Sequence, residues 1–232
     1  QQALSDTKLL QGDVIQSIDA IIAAIDSKVG KQLDKIMHHP EFQQMEGAWR
    51  GLSYMVNNTE TDEKLKIRVM NISKKDLGGM FRKFKGVAWD QSPLFKQIYE
   101  SEYGTLGGTP YGCLVGDYQF DQSPPDVEIL QGMAKIAAAA HAPFISSPSP
   151  ALFQMQSWQE LSNPRDLTKI FEMPEYAAWR SFRQSDDSRY VGLCMPRFLA
   201  RLPYGERTNP AEGMAYEEHA EGGANENYTW AN

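Results

Sequence analysis

The sequence predicts an α/β fold: a mostly parallel sheet flanked by helices and preceded by an N-terminal helical segment. Three observations carry this. The apolar run Tyr111–Asp117, a helix opened by Pro124-Pro125-Asp126 and a second run, Pro143-Phe144-Ile145, make a strand-helix-strand unit. Its right-handed crossover forces the strands parallel and is expected to bury both sheet faces. A further apolar run, Tyr190–Met195, stopped by Pro196, suits a third strand. Finally, residues 13–56 repeat apolar side chains every three or four positions, as amphipathic helices do. Two regions are expected: helices over 1–58 and an α/β domain over 59–232.

Asp13-Val14-Ile15-Gln16 has the form of a capping box and should start the first helix. Ile15, Ile18, Ile22, Ile25, Val29 and Ile36 then form a narrow seam, interrupted by Gln32, with Asp19, Asp26, Lys28 and Lys31 mostly outside it. Such a seam wants a partner, either within the domain or on another chain. Gly30, costing about 1 kcal/mol against alanine inside a helix, points to a supporting tertiary contact. His38-His39-Pro40 ends this helix and opens another, since proline is tolerated at the first helical position. Phe42, Met45, Trp49, Leu52 and Val56 continue the same spacing along it. Adjacent histidines face different ways on a helix, so they are read as favourable charges at a helix C-terminus and not as metal ligands.

After a polar break, Leu65, Ile67 and Val69 alternate with Lys66 and Arg68 as an outer strand would. Ser73-Lys74-Lys75-Asp76 opens a helix with Leu77, Met80, Phe81 and Phe84 inward and Lys74, Lys75, Arg82, Lys83 and Lys85 as a basic, solvated face. Ser92-Pro93 opens the next helix and Gly104 closes it. The glycine-rich stretch 104–110 precedes a strand, the wrong order for a phosphate cradle. On the helix after Pro124, Leu130, Met133, Ala137 and Ala140 face inward. Short helices follow at Ser149-Pro150, at Asn163–Asp166 leading to Leu167, Ile170 and Phe171, and at Pro174, where Tyr176, Trp179 and Phe182 are inward. Residues 220–227 read as a surface loop.

A net charge of −7 over 232 residues argues against wrapping nucleic acid or docking on anionic lipid. Cys113 and Cys194, each inside an apolar run, are expected to be buried thiols, which points to a reducing, cytoplasmic setting. No run approaches the roughly 20 apolar residues of a membrane helix.

The rim of an open parallel sheet would gather Asp117, Tyr118, Ser146, Ser147 and Arg197, a set an α/β enzyme could use. No nucleophile elbow accompanies it. Cys113 in mid-strand reads as a core residue and not as a nucleophile with His141 as its base. Asp117, Asp121, Asp126 and Glu128 lack the spacing of a calcium loop, and Arg180, Arg183, Arg189, Arg197 and Arg201 with Asp186 and Asp187 suggest an ion-pair network. No catalytic, cofactor or metal site is therefore expected. The residues expected to matter are the partner-contact seam Ile15, Ile18, Ile22, Ile25 and Val29.

Several runs carry a resemblance. His38-His39-Pro40-Glu41-Phe42, Glu46-Gly47-Ala48-Trp49-Arg50-Gly51-Leu52, and Gly107–Gly112 leading into Leu114–Tyr118 resemble the large sheath subunit family, TssC, of the bacterial type VI secretion system. So do Ala142–Ile145, Pro164–Leu167 and Pro196–Gly205. The resemblance implies a non-enzymatic subunit that pairs with a small sheath subunit, TssB. The heterodimers would stack helically around an inner tube of haemolysin-coregulated protein, eject it by contraction and be disassembled by the AAA+ ATPase ClpV. The short helix that this ATPase recognises has no counterpart in Gln1–Gly12, and the family continues past Tyr228–Asn232, where the chain stops at what reads as a helix start. Together with a first residue other than Met, the resemblance implies an excised or proteolysed piece whose α/β domain is incomplete. The rival readings are the α/β enzyme and a soluble adaptor binding a partner helix along the Ile15 seam.

Overall fold

The computed structural model describes residues 14–162, 167–218 and 228–231, with side chains from residue 16 onward. The capping box at Asp13, the side chain of Ile15, the Asn163–Asp166 helix start and the 220–227 loop lie outside the described residues. The chain divides into two compact units, Lys66–Pro196 and a second made from Gln1–Leu65 with Arg197–Ala231.

In the first unit, β1 (Leu114–Phe120), β2 (Phe144–Pro148) and β3 (Val191–Leu193) form a parallel sheet in that order. Helix α5 (Pro124–Ala140) is the crossover between β1 and β2. Proline at its first turn presets the helical φ, and Val127, Leu130, Met133, Ile136, Ala137 and Ala140 are all buried. Its core position follows from what surrounds it. The sheet lies on one side, α3 (Lys74–Lys83) packs on another, and α7 (Ala177–Arg183) adds Trp179 and Phe182.

Helix α3 starts as expected: the Ser73 hydroxyl accepts from the Asp76 amide, and Leu77 and Phe81 are buried. Part of its basic face is ion-paired, Lys74 with Asp126 at 2.6 Å and Lys85 with Glu128 at 2.9 Å. Ser92 caps α4 (Pro93–Phe95), which runs on as a π-helix (Lys96–Tyr103) stopped at Gly104. After α6 (Leu167–Ile170), Phe171 packs edge-on to the buried Tyr176 ring, 5.6 Å between centroids.

Four expectations fail between Leu65 and Cys194. Leu65, Ile67 and Val69 belong to no strand, because no neighbouring strand among the described residues offers them a hydrogen-bond ladder. The first sheet strand begins at Leu114, three residues later than its apolar run. Cys113 and Cys194 are exposed, since they flank β1 and β3 instead of sitting inside them. Helical cover is also one-sided: Leu114, Phe144 and Val191 pack toward the core, whereas Val115, next along β1, is 67% exposed.

The second unit contains α1 (Val14–Met37), α2 (Pro40–Asn57) and the antiparallel pair β4 (Phe198–Leu199) and β5 (Trp230–Ala231). Trp230 and Ala231 are thus strand and not part of a helix start. Helix α2 leaves Met45 and Val56 exposed and Trp49 67% exposed, with Phe42 and Leu52 half-buried. Its inward face is small. A Cβ on Gly47 would lie 2.2 Å from the Trp230 carbonyl oxygen, and one on Gly51 would lie 3.2 Å from Ala231 Cβ. Glycine at these positions lets β5 lie directly on the helix backbone.

Candidate subunit interface

The described members of the α1 seam face solvent: Ile18 and Ile22 are 51% exposed, Ile25 46%, Val29 42% and Ile36 48%. They fall into two ladders seven residues apart, Ile18-Ile25-Gln32 and Ile22-Val29-Ile36. A seven-residue apolar repeat is what one helix presents to another in a left-handed coiled coil, and a lone polar residue in the seam helps set the register.

The opposite side of α1 is occupied. Gly30 is buried under the ring of Tyr216, where a Cβ would come within 3.3 Å of ring carbon. The Tyr216 hydroxyl donates to Asp34 Oδ1 at 2.7 Å, and burial followed by this carboxylate pushes the phenol up, keeping it protonated. The contact expected from Gly30 is this ring.

A charge cluster ties segment 201–218 to α2 and to His38, between the two helices. The buried Arg201 guanidinium donates from Nε to Glu46 Oε1 at 2.7 Å and from Nη2 to Oε2 at 3.3 Å. It also donates from Nη1 to Glu218 Oε2 at 2.6 Å and from Nη2 to Oε1 at 3.2 Å. Glu46 additionally accepts from Arg50 Nε at 2.8 Å and from the buried Thr229 hydroxyl at 2.7 Å. Glu218 accepts from the Tyr204 amide at 2.9 Å and lies 3.1 Å from His38 Nε2.

Burial alone would push both carboxyls up, yet these donors outweigh it, and Glu46 and Glu218 are held below their ordinary range. Burial opposes the charge of Arg201 as well, but its two carboxylate partners raise it overall. Two bidentate pairs on one planar guanidinium suit arginine and not lysine.

Sequence reasoning missed Glu46, Glu218, Thr229 and the His38 contact, and put Arg201 in a network with Asp186 and Asp187. Arg201 turns instead to Glu46 and Glu218, and Arg180 donates to the Phe171 and Met173 carbonyls. The only advance signal was the density of Glu, Gly and Arg between Glu46 and Gly51.

The enzyme-like rim is not assembled. Asp117 and Tyr118 lie in mid-β1, and the Tyr118 hydroxyl donates to the Ile72 carbonyl. The buried Ser146 hydroxyl is directed to the Gly116 and Tyr118 carbonyls at 2.7 and 3.0 Å, beside an irregularity in the β1 register. Arg197 belongs to the other unit, its guanidinium 4.6 Å from the Trp230 ring centroid.

Cys113 Sγ faces the Pro143 carbonyl at 3.4 Å, and burial pushes its thiol up, the opposite of an activated nucleophile. His141 caps α5 in a left-handed conformation, its ring between Tyr103 and Tyr190. Among the described residues no cluster of His, Cys, Asp and Glu could hold a metal, and no helix is long and apolar enough to cross a membrane.

The VipB family model (EvpB/VC_A0108, tail sheath N-terminal domain) matches residues 19–232. The chain belongs to this tail sheath family. It is 65% identical, over all 232 residues, to the type VI secretion system sheath protein TssC1 of Pseudomonas aeruginosa, and the match takes in 47% of that protein. The chain therefore spans about half the length of the curated relative it matches. Within the VipB domain, two of the runs that carry the sheath resemblance meet at one place. Glu46, Gly47, Arg50 and Gly51 come from one run and Arg201 and Tyr204 from another, and they meet around Arg201 and β5.

Proposed function

We propose that this chain is part of the large subunit of a type VI secretion contractile sheath, and that the α1 seam of Ile15, Ile18, Ile22, Ile25 and Val29 packs against a helix of the small sheath subunit, TssB. The heterodimers polymerise in the cytoplasm around the tube of haemolysin-coregulated protein whose ejection they drive, and ClpV disassembles the spent sheath. The subunit's role is mechanical and requires no cofactor. The observation that carries the reading is the exposure of the heptad-spaced seam on a helix whose other side is held by Tyr216 and the Arg201 cluster.

Completing the burial of a half-exposed Ile or Val yields about 1 kcal/mol, so the described seam residues supply roughly 5 kcal/mol. Association costs at least about that much in lost freedom, so the seam needs further contact area. Met45, Trp49 and Val56 on α2 offer it.

Co-expression with TssB tests the reading. Co-purification, with growth into filaments when the remainder of the subunit is present, is expected. Ile18→Asp with Ile25→Asp should abolish co-purification and leave the circular dichroism and melting temperature unchanged. Undiminished pairing in the double variant would show that the stripe is not the contact. A stable one-to-one complex that never polymerises would favour the adaptor.

A further inference from the structure

The register of the sheet lines up Val115, Ile145 and Gly192 across its three strands, on the side opposite Leu114, Phe144 and Val191. Val115 is 67% exposed, Ile145 is only half-buried, and a Cβ on Gly192 would meet nothing within 4 Å. Cys113 and Cys194, which flank β1 and β3 two positions from Val115 and Gly192, are both exposed. The row of Val115, Ile145 and Gly192 is uncharged and low, with Asp117 and Gln119 exposed further along β1 on the same side.

Parallel sheets occur with both faces covered by helices, and here α5 covers one. Three strands about 4.8 Å apart and about five residues long present on the order of 250 Å². An independent partner needs roughly 1,000 Å² for a specific, stable contact, so a diffusing protein or a second copy of the chain finds too little here. A helix tethered by the same polypeptide works at an effective concentration near millimolar and needs far less area. More than half of TssC1 lies outside the part this chain matches.

We infer that the open face bearing Val115, Ile145 and Gly192 is the seat of a helix supplied by the portion of the longer sheath polypeptide outside the region this chain represents. That helix presents small and aliphatic residues to the row and a polar side to its surroundings.

The two cysteines, which are the chain's only ones, report on the cover. The 232-residue chain is compared with P. aeruginosa TssC1 carrying this chain in place of its matching stretch, both unassembled, by timed maleimide labelling and mass spectrometry. Cys113 and Cys194 should label readily in the chain and at least about tenfold more slowly in the long protein. Val115→Asp should restore fast labelling there by expelling the helix. In native TssC1, cysteines placed where Val115 and Gly192 align should be similarly protected, which keeps the test independent of the chimera's folding.

Equal labelling in short and long forms overturns the inference. So does slow labelling in the chain alone, whether as a monomer or, by self-association, as a dimer. Ile18→Asp should leave every labelling rate unchanged, so this result stands apart from that of the seam.

Discussion

Arg201 and Glu46, 155 residues apart in sequence, meet through two hydrogen bonds, with Nε 2.7 Å from Oε1 and Nη2 3.3 Å from Oε2. The pair ties the chain's return segment to α2 and, through Glu218 and His38, to the end of α1.

Replacing Arg201 strands two largely buried carboxylates. Arg201→Met should cost about 3–5 kcal/mol, the usual penalty for removing one partner of a buried ion cluster. Arg201→Lys should recover only part of this, because an ammonium cannot make two bidentate pairs. Urea unfolding followed by tryptophan fluorescence reads both, since Trp49 and Trp230 lie in this unit.

Acid should loosen the same unit. Glu46 and Glu218 have folded-state pKa values below their ordinary 4.5, so between the two values the unfolded chain binds more protons and stability rises with pH. Their contribution is complete above the unfolded value and disappears as pH falls through the folded one. Unfolding free energies measured from pH 6 downward should fall below about pH 4.5, and Glu218→Gln should flatten that slope.

Two glycine-to-alanine changes should have opposite signs. Gly47→Ala sets a Cβ 2.2 Å from the Trp230 carbonyl oxygen and forces β5 away, so a loss of about 1–3 kcal/mol is expected despite alanine's better helix propensity. Gly79→Ala, on α3, meets nothing within 4 Å and should stabilise by about 0.5–1 kcal/mol. Thermal melts of the two variants check the signs directly.

Tyr216→Phe keeps the ring over Gly30 and removes the hydroxyl from Asp34. Hydrogen bonds to charged groups contribute about 1.5–3 kcal/mol, and a loss at the lower end is expected because Asp34 is only partly buried. Hydrogen exchange of the α1 amides around Asp34 should quicken, and the Ile18–Val29 surface should keep its partner affinity.

What was legible in the sequence was local. Ser73, Ser92 and Pro124 start helices where turn chemistry says they should, and the inward residues of α5 and α7 were recognised from their spacing. Where a distant segment decides, the pattern misled. Leu65 to Val69 alternate like a strand, but a strand also needs a neighbour's backbone. The apolar spacing along α2 does not announce that β5 lies on its glycine side. Nothing near Glu46 announces Arg201, because a charge pair leaves no periodic trace.

Short stretches alone specify the three-four seam of α1, the parallel β1-α5-β2 crossover and the absence of a nucleophile elbow, since helix period, crossover handedness and motif spacing are local properties. Long-range packing sets the rest: the seam stays open, Gly30, Gly47 and Gly51 are the inward faces, and one side of the sheet lacks a cover. Burial is set by whichever part of the chain arrives from far away, and arrival depends on packing and charge pairing across more than a hundred residues.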